Sequence, residues 1–401
     1  MPEKKIMGMP NGNKLFIRKV LLSTGELTRE AVIKYNNREY YDSVPRGITI
    51  GLKETQSEIA KNKVYVDSDL NKNIAILSQA EFDKKISKKF DSQTSAAFSL
   101  AYLKLLAYKN GFTEKEIFKY ISQKYKTRSS APQIICNILN GGKHTYNGLA
   151  FCEFMIIPRG VKTEQNIQIA SEVYLDLKSI IKNELGKNHL LLGREGGFSP
   201  IISNVEDAIS LLIKAINKRN KGKCFIAIDA AANNFTIQNH KKYFKYVVNE
   251  TVYTTDTLVK YYSYFINKYP MIKYIEDPLH ENDIRGWKFL LNKLGKKILI
   301  VADDLTVSKM YNLKKFKKYF NACVLKVNQS GNFTELIKAY NYCVKNNIKI
   351  VISQRSGETD SNIITHIATG LGSHYFKAGA PARERIIKYN ELLRITQLIL
   401  K

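Results

Sequence analysis

From residue 131 onward, short apolar runs alternate with longer amphipathic stretches. The apolar runs are APQIICNIL, KCFIAIDAA, MIKYIEDP, KKILIVADD, ACVLKVNQ, IKIVISQR and HYFKAGA. Between them, stretches such as NVEDAISLLIKAINK, TTDTLVKYYSYFINKY and FTELIKAYNYCVKNN carry apolar residues at helical spacing. Strands that are apolar throughout and separated by helices predict a parallel sheet covered on both faces. A long series of such strands favours a closed α/β barrel over an open sheet.

Residues 13 to 70 follow a different pattern. The runs KLFIRKVLLS, REAVIKYN and NREYYDSV are short and close together, which is typical of antiparallel strands. The stretch DSQTSAAFSLAYLKLLAYKNG then predicts a helix that ends at Gly111, and Thr113 with Glu116 predicts a capping box for the next helix. The expected fold class is therefore α/β, with an N-terminal α+β domain over residues 1–125 and a C-terminal catalytic α/β barrel over residues 126–401.

Composition adds limits on the class of protein. The chain has 401 residues, of which 44% are hydrophobic and 25% charged, an ordinary globular composition. No run of 18 apolar residues predicts a membrane span, and MPEKKIMGMP lacks the apolar core of a secretory signal. The five cysteines are odd in number and scattered, which predicts reduced thiols and a cytoplasmic protein.

The formal net charge of +27 is the strongest compositional signal. Nucleic-acid binders carry such charge on one face or along one helix. Here lysine far outnumbers arginine and is spread over the whole length of the chain. This distribution predicts solvated basic faces without a concentrated patch, and it does not favour a dedicated nucleic-acid function.

Charged residues stand where the predicted barrel strands end. Three are carboxylates and three are cations: Asp229, Glu276, Asp303, Lys326, Arg355 and Lys377. A single aspartate at a strand end usually caps a turn. In a barrel, however, side chains at the carboxyl ends of the strands point to one mouth, so these residues should converge.

The chemistry of such a convergence favours a metal-assisted proton transfer. Three oxygen donors suit Mg²⁺, which keeps waters and takes its remaining ligands from substrate. A lysine beside a divalent cation loses proton affinity and can act as a base near neutral pH. Carboxylates, lysine and arginine together therefore predict abstraction of a proton next to a metal-bound carboxylate.

Nearly the whole chain resembles enolase. The matching segments are NILNGGKH, CEFMIIP, GREGGFSP, IAIDAAANNF, YIEDPLHENDIRGW, VADDLTVS, LKVNQSGN, SQRSGETD and KAGAPARERIIKYNELLRI. Each is weak alone, but their occurrence in family order is specific. The resemblance implies a Mg²⁺-dependent hydro-lyase that interconverts 2-phosphoglycerate and phosphoenolpyruvate in glycolysis and gluconeogenesis, and that forms a homodimer.

The resemblance also implies roles for individual residues. Asp229, Glu276 and Asp303 would hold the Mg²⁺ that chelates the substrate carboxylate, and Thr49 would serve a second ion. Lys326 would remove the C2 proton, and Lys377 would neutralise the carboxylate and the ene-diolate. Glu195, supported by Glu153, would assist departure of the C3 hydroxyl. His144 would lie in a loop that closes over substrate, and Arg355 and Ser356 would grip the phosphate, with Gly357-Glu358-Thr359 opening a helix behind them.

The chain departs from the enolase pattern at several positions. Gln354 replaces a histidine, so it can donate a hydrogen bond to substrate but cannot carry a full positive charge. Arg194 adds a cation next to Glu195 and is expected to keep that carboxylate ionised. Cys152 replaces a glutamine that contacts substrate, and Thr49 replaces a serine. These changes leave a second hypothesis open: a degenerate enolase scaffold with weak or no catalysis, whose lysine-rich surface binds acidic partners, or a lysine-recognising protein through Lys401.

Overall fold

The computed structural model describes residues 13–47, 70, 74, 76–145, 147–240 and 243–399. Thr49 and Lys401 lie outside these residues, so the predictions made for them remain predictions.

The N-terminal part is an antiparallel sheet with helices against it. Its strands are β1 (Lys14–Leu21), β2 (Leu27–Tyr35) and β3 (Arg38–Ser43), and its helices are α1 (Gln79–Ile86), α2 (Ser92–Lys109) and α3 (Ile117–Tyr125). Asn36 and Asn37, both with positive φ, form the tight turn between β2 and β3. The α+β prediction is confirmed, including Gly111 (φ +83°) after α2 and the Thr113–Glu116 capping box before α3.

The rest of the chain is built around a closed barrel. Its strands are β4 (Gln133–Asn140), β5 (Glu153–Pro158), β6 (Cys224–Asp229), β10 (Ile272–Glu276), β11 (Leu299–Ala302), β12 (Ala322–Leu325), β13 (Lys349–Ser353) and β14 (Tyr375–Lys377), in that order around the barrel. A separate antiparallel sheet contains β7 (Thr236–His240), β8 (Tyr243–Val248) and β9 (Thr251–Thr254). The barrel prediction is confirmed.

One barrel strand runs against the others. β5 pairs antiparallel with both β4 and β6, whereas the remaining pairs are parallel. β5 was not among the seven strands that the sequence predicted, and the predicted all-parallel sheet is wrong at this strand. The described residues between β4 and β5 contain no α-helix, only a 3₁₀ turn over Gly142–His144, and strands joined without a helical crossover pair antiparallel.

Helices cover the outside of the barrel. They are α4 (Thr163–Glu184), α5 (Val205–Arg219), α6 (Thr255–Lys268), α7 (Ile284–Leu294), α8 (Met310–Phe316), α9 (Val327–Ser330), α10 (Phe333–Lys345), α11 (Ile363–Gly370) and α12 (Ile386–Ile399). Among the described helices, none is both long and apolar enough to cross a membrane.

The inside of the barrel is packed rather than open. Inward-facing residues from successive strands, including Ile135, Met155, Ala227, Tyr274 and Val301, are buried and contact one another. Layers of this kind are the usual filling of an eight-stranded barrel. The packed layers separate the two mouths of the barrel, so each mouth can carry a different chemistry.

The N-terminal domain is fixed to the segment that follows β13. Arg46 and Gly357 form an antiparallel bridge with both backbone hydrogen bonds at 2.8 Å, and the Ser23 amide donates to the Glu358 carbonyl at 2.7 Å. This pairing holds residues 357–359 extended, so the prediction that they open a helix is wrong. The helix begins at Ile363.

Candidate active site

The carboxyl ends of the barrel strands surround a small cavity. Its lining residues are Gly47, His144, Glu153, Glu195, Asp229, Asp303, Lys326, Ser353, Gln354, Arg355, Ser356 and Lys377. The cavity measures about 30 Å³, and Gly47 also lines a larger depression of about 600 Å³ on the same side of the molecule. The structure thus brings the predicted residues of the barrel to one mouth.

Lys377 lies at the centre of a cluster of carboxylates. Strand register places Glu153, at the start of the antiparallel β5, beside Asp229 and Glu276 at the ends of β6 and β10. Lys377 Nζ lies 2.7 Å from Glu153 Oε2, 3.2 Å from Asp229 Oδ2 and 3.0 Å from Glu276 Oε1. Burial lowers the pKa of Lys377, but these carboxylates outweigh it and raise that pKa well above its usual value. The amine is therefore a fixed positive charge.

Lys326 pairs with Asp303 across the same cavity. The Lys326 amine donates to Asp303 Oδ2, and both side chains are largely buried. Burial lowers the pKa of Lys326, but the Asp303 carboxylate outweighs it and raises that pKa above its ordinary value. The sequence predicted that Lys326 acts as an uncharged amine. For Lys326 to lose its proton, another cation must balance the negative charge on Asp303.

The donor set suits a hard divalent cation. Burial and the neighbouring Glu276 raise the pKa of Asp229 well above its usual value, so a cation here would relieve repulsion among the acids. Asp303 Oδ1 is buried and has no hydrogen-bond partner among the described residues. The carboxylate oxygens of Asp229, Glu276 and Asp303 do not all lie within 4.8 Å of one another. The two lysine amines occupy contacts on these acids instead.

Glu153 and Glu195 form a pair of buried carboxyls, one protonated and the other ionised near neutral pH. Burial, followed by the nearby Glu195 charge, raises the pKa of Glu153 to about 8. Burial also tends to raise the pKa of Glu195, but His144, Arg385 and Lys377 together lower it to about 2. Near neutral pH the proton of the pair therefore resides on Glu153, and the two groups titrate as a unit.

His144 lies inside the site, whereas Arg194 lies at the surface. His144 is 5% exposed and its Nε2 lies 3.8 Å from Glu153 Oε1, so it is already inside the site. Burial lowers the pKa of His144. Arg194 is exposed, and its carbonyl accepts from Arg385 at 3.2 Å. Glu195 is ionised as expected, and the leading cations that lower its pKa are His144, Arg385 and Lys377; a contribution from Arg194 stays a prediction.

The segment after β13 lines the other wall. Arg355 is 4% exposed, and Gly47 packs so closely on its guanidinium that a Cβ at residue 47 would lie 1.7 Å from Nη2. A side chain at residue 47 would therefore displace the Arg355 guanidinium. Gln354 is 3% exposed, and its Nε2 is a buried donor without an acceptor among the described residues. That amide is available to a bound oxygen.

Arg385 organises this wall, and the sequence analysis gave it no role. It is fully buried. It donates to Gln354 Oε1 at 2.8 Å and to the carbonyls of Arg355, Ser356 and Arg194 at 2.9, 2.6 and 3.2 Å. The contact with Gln354 fixes the amide so that Nε2 is its remaining donor. In the sequence, Arg385 is only the second arginine of PARER. Its spacing does not distinguish it from a surface residue.

We expect Arg385→Lys to damage both stability and the site, because one ammonium cannot serve four acceptors. The free energy of unfolding should fall by about 2–4 kcal/mol, and KM for a phosphorylated substrate should rise as Gln354 loses its orientation. Arg383→Lys is the matched control, since Arg383 is largely exposed and two positions away. Equal melting temperatures and equal KM values for the two variants would contradict this role.

Other residues were also missed or differently placed. Asp277 accepts the amides of Asp303 and Asp304 at 3.1 and 2.9 Å, which fixes the turn that carries Asp303. Asn137 donates to Glu195 at 3.2 Å. Cys152, predicted to replace a substrate contact, does not line the cavity and accepts from Asn234 at 3.5 Å. Polar residues that become buried partners of site residues do not recur at a regular spacing, so the sequence pattern does not identify them.

Comparison with known proteins gives a consistent result. The family model described as the C-terminal TIM barrel domain of enolase matches residues 129–400. The enolase of Ehrlichia chaffeensis is 35% identical over 380 residues, which cover 92% of this chain and 86% of the relative. The enolase of Methanococcus aeolicus is 35% identical over 383 residues (94% and 87%), and that of Sulfolobus acidocaldarius is 34% identical over 392 residues (92% and 91%).

Proposed function

The chain belongs to the enolase family, and on that premise we propose that it is a phosphopyruvate hydratase, a lyase that interconverts 2-phosphoglycerate and phosphoenolpyruvate. The observation that carries this proposal is the buried arrangement at the barrel mouth. Two lysine amines and an arginine face carboxylates from β5, β6, β10 and the turn after β11. Abstraction of a proton next to a carboxylate needs fixed positive charge of this kind.

Lys326 is proposed as the base that removes the C2 proton. Its amine lies at the mouth and contacts Asp303, so its proton affinity depends on the charge that Asp303 carries. Lys377 is proposed to stabilise the negative charge that develops on the substrate carboxylate, because its own pKa keeps it charged throughout the reaction. The two lysines would therefore have opposite roles, set by their surroundings.

The Glu153–Glu195 pair is proposed to assist departure of the C3 hydroxyl. A leaving hydroxyl needs a proton, and the pair holds one on Glu153 near neutral pH. Asn137 donates a hydrogen bond to Glu195, and His144 Nε2 lies 3.8 Å from Glu153 Oε1. We therefore assign the stored proton to Glu153, whereas the resemblance implied that Glu195 assists departure and that Glu153 only supports it.

Arg355, Ser356 and the Gln354 amide are proposed to bind the phosphate and neighbouring oxygens. The buried guanidinium supplies charge, and the Gln354 Nε2 supplies a neutral donor fixed by Arg385. A neutral donor can position an oxygen without competing for a proton. Glutamine in place of histidine at residue 354 would then have little effect on the orientation of the bound substrate.

A divalent cation fits the donor set of Asp229, Glu276 and Asp303, and we propose Mg²⁺, which when bound would supply positive charge beside the substrate carboxylate. We further propose a place in glycolysis and gluconeogenesis, a cytoplasmic location and a homodimer, all of which rest on membership of the family. The domain division at residues 125 and 126 and a second ion at Thr49 likewise remain proposals.

The proposed proton store predicts a pH dependence of turnover. Five titratable groups face Glu153: Glu195, Lys377, His144, Asp229 and Glu276. Since the pKa of Glu153 is raised to about 8, kcat should fall as pH rises through about 8 and the proton is lost. Glu153→Gln should lower kcat about 100-fold and abolish this limb of the profile. A variant that keeps the same limb would contradict the assignment.

The same raised pKa has a consequence for stability. Folding takes up a proton on Glu153 between the ordinary carboxyl pKa of 4.5 and the folded value of about 8. The free energy of unfolding should therefore decrease as pH rises through this window. The Glu153→Gln variant provides the control, because it cannot titrate.

The proposed activity is tested by assaying purified protein with 2-phosphoglycerate and Mg²⁺ and following the absorbance of phosphoenolpyruvate. Formation of product that depends on both additions supports the proposal. A folded protein that binds neither substrate nor metal would instead support the degenerate scaffold.

A further inference from the structure

The amino-terminal mouth of the barrel, opposite the active site, opens into a depression of about 640 Å³. We call this depression the basic foot. Its lining comes mainly from the starts of barrel strands, with Arg159 and Gly160 following the end of the antiparallel β5. Its cations are Arg159, Lys273, Lys296, Lys297 and Lys349.

The charge of the basic foot is not balanced by acids. No lining residue is an aspartate or glutamate, and none of these five cations forms an ion pair within the described part of the chain. Lys297 donates only to the neutral side chain of Asn267, at 3.2 Å. The sequence predicted no concentrated basic patch, and here that prediction is wrong. Apart from the adjacent Lys296 and Lys297, the cations are far apart in sequence, and they meet because barrel closure gathers this end of the strands.

The floor of the basic foot is aromatic. Phe225 and Tyr375 are half-buried, and they pack with Leu299 on the core inside the barrel. The guanidinium of Arg159 lies 4.2 Å from the centre of the Phe225 ring. The packed core beneath this floor separates the basic foot from the active site.

His374 adds a directed donor at the rim. Its Nδ1 accepts from the Ile350 amide at 3.3 Å, so the neutral ring carries its proton on the exposed Nε2. Burial, followed by the charge of Lys349, lowers the pKa of His374. The ring therefore contributes a planar surface and a hydrogen bond rather than a further charge.

We propose that the basic foot binds a nucleoside polyphosphate. Its volume lies within the range of small-ligand sites, about 300–1,000 Å³. The unbalanced cations suit a chain of phosphates. Arg159 already lies over Phe225, and the half-buried Tyr375 ring suits a planar base stacked on it. A compact ligand fits a depression confined to the end of a barrel better than an extended polymer, which requires a groove. This site is independent of the proposed hydratase activity.

The test is calorimetric titration of the full chain with ATP, with adenosine and inorganic triphosphate as partial probes. Saturating phosphoenolpyruvate is present throughout to occupy the active site. The variant pair is Lys296→Glu with Lys349→Glu, both exposed. The matched control is Lys88→Glu with Lys115→Glu, which makes the same change in net charge at exposed positions in the N-terminal domain.

We expect ATP to bind one-to-one, with affinity that falls as salt is raised. The basic-foot variant should bind about tenfold more weakly or worse, while the control variant binds like wild type and both retain hydratase activity. Equal losses in the two variants would overturn the proposal in favour of diffuse surface charge. It would also be overturned if triphosphate bound as tightly as ATP, if ATP bound only in a parallel titration without phosphoenolpyruvate, or if a single-stranded RNA homopolymer but not ATP bound at this site.

Discussion

Replacing Lys326 with alanine is expected to lower the rate of phosphoenolpyruvate formation by about 10³-fold or more. The side chain is the proposed base, and no other amine among the described residues contacts Asp303 directly. Binding of substrate should change much less, because Arg355, Gln354 and Lys377 remain. The measurement is the initial rate at saturating substrate, together with KM, so that loss of chemistry is separated from loss of binding.

A control is needed because Lys326→Ala also leaves the buried Asp303 without its partner. Lys326→Gln retains a donor for Asp303 but cannot act as a base, so it should fold better and remain equally inactive. Lys317→Ala, at an exposed lysine of the barrel, should have wild-type activity. Turnover by either Lys326 variant within about tenfold of wild type would show that another group removes the proton.

Removal of divalent cation by a chelator is expected to abolish activity completely and reversibly. Without a cation, Lys326 remains paired with Asp303 in its charged form, and the carboxylates at the ends of β6 and β10 repel the substrate carboxylate. Added Mg²⁺ should restore the full rate. Mg²⁺ at about 100 times its Kd should also raise the free energy of unfolding by about 2.7 kcal/mol.

Two variants separate metal binding from chemistry. Asp303→Asn should lose both activity and the stabilisation by Mg²⁺, because it removes a proposed ligand. Lys326→Gln should keep the stabilisation while remaining inactive. Activity that persists in chelator, or stabilisation that survives Asp303→Asn unchanged, would contradict the ligand assignment.

The fold was predictable where the local pattern of apolar residues is enough to determine how the strands pair. Apolar strands alternating with amphipathic helices predicted the barrel, and the short runs before residue 45 predicted the antiparallel sheet. The direction of β5 was not predictable from its composition, because an apolar strand buried on both faces reads the same in either direction. The extended form of residues 357–359 depends on Arg46, more than 300 positions away in the chain.

The candidate site was predictable to the extent that strand ends determine it. Asp229, Glu276, Lys326 and Lys377 each end or follow a barrel strand, and the closed barrel necessarily brings them together. The protonation of these groups could not be predicted, since it depends on distances between buried charges. Arg385 shows the same limit: its four acceptors come from two separate loops that only the folded chain places around it.

The most direct test of the account is exchange of the C2 hydrogen of 2-phosphoglycerate with solvent deuterium, followed by NMR in the presence of Mg²⁺. This exchange reports removal of the proton by Lys326 alone, whether or not the hydroxyl departs. We expect exchange in wild type and in Glu153→Gln, and none above background in Lys326→Gln. Exchange by Lys326→Gln at the wild-type rate, or its absence from active wild-type protein, would contradict the central claim.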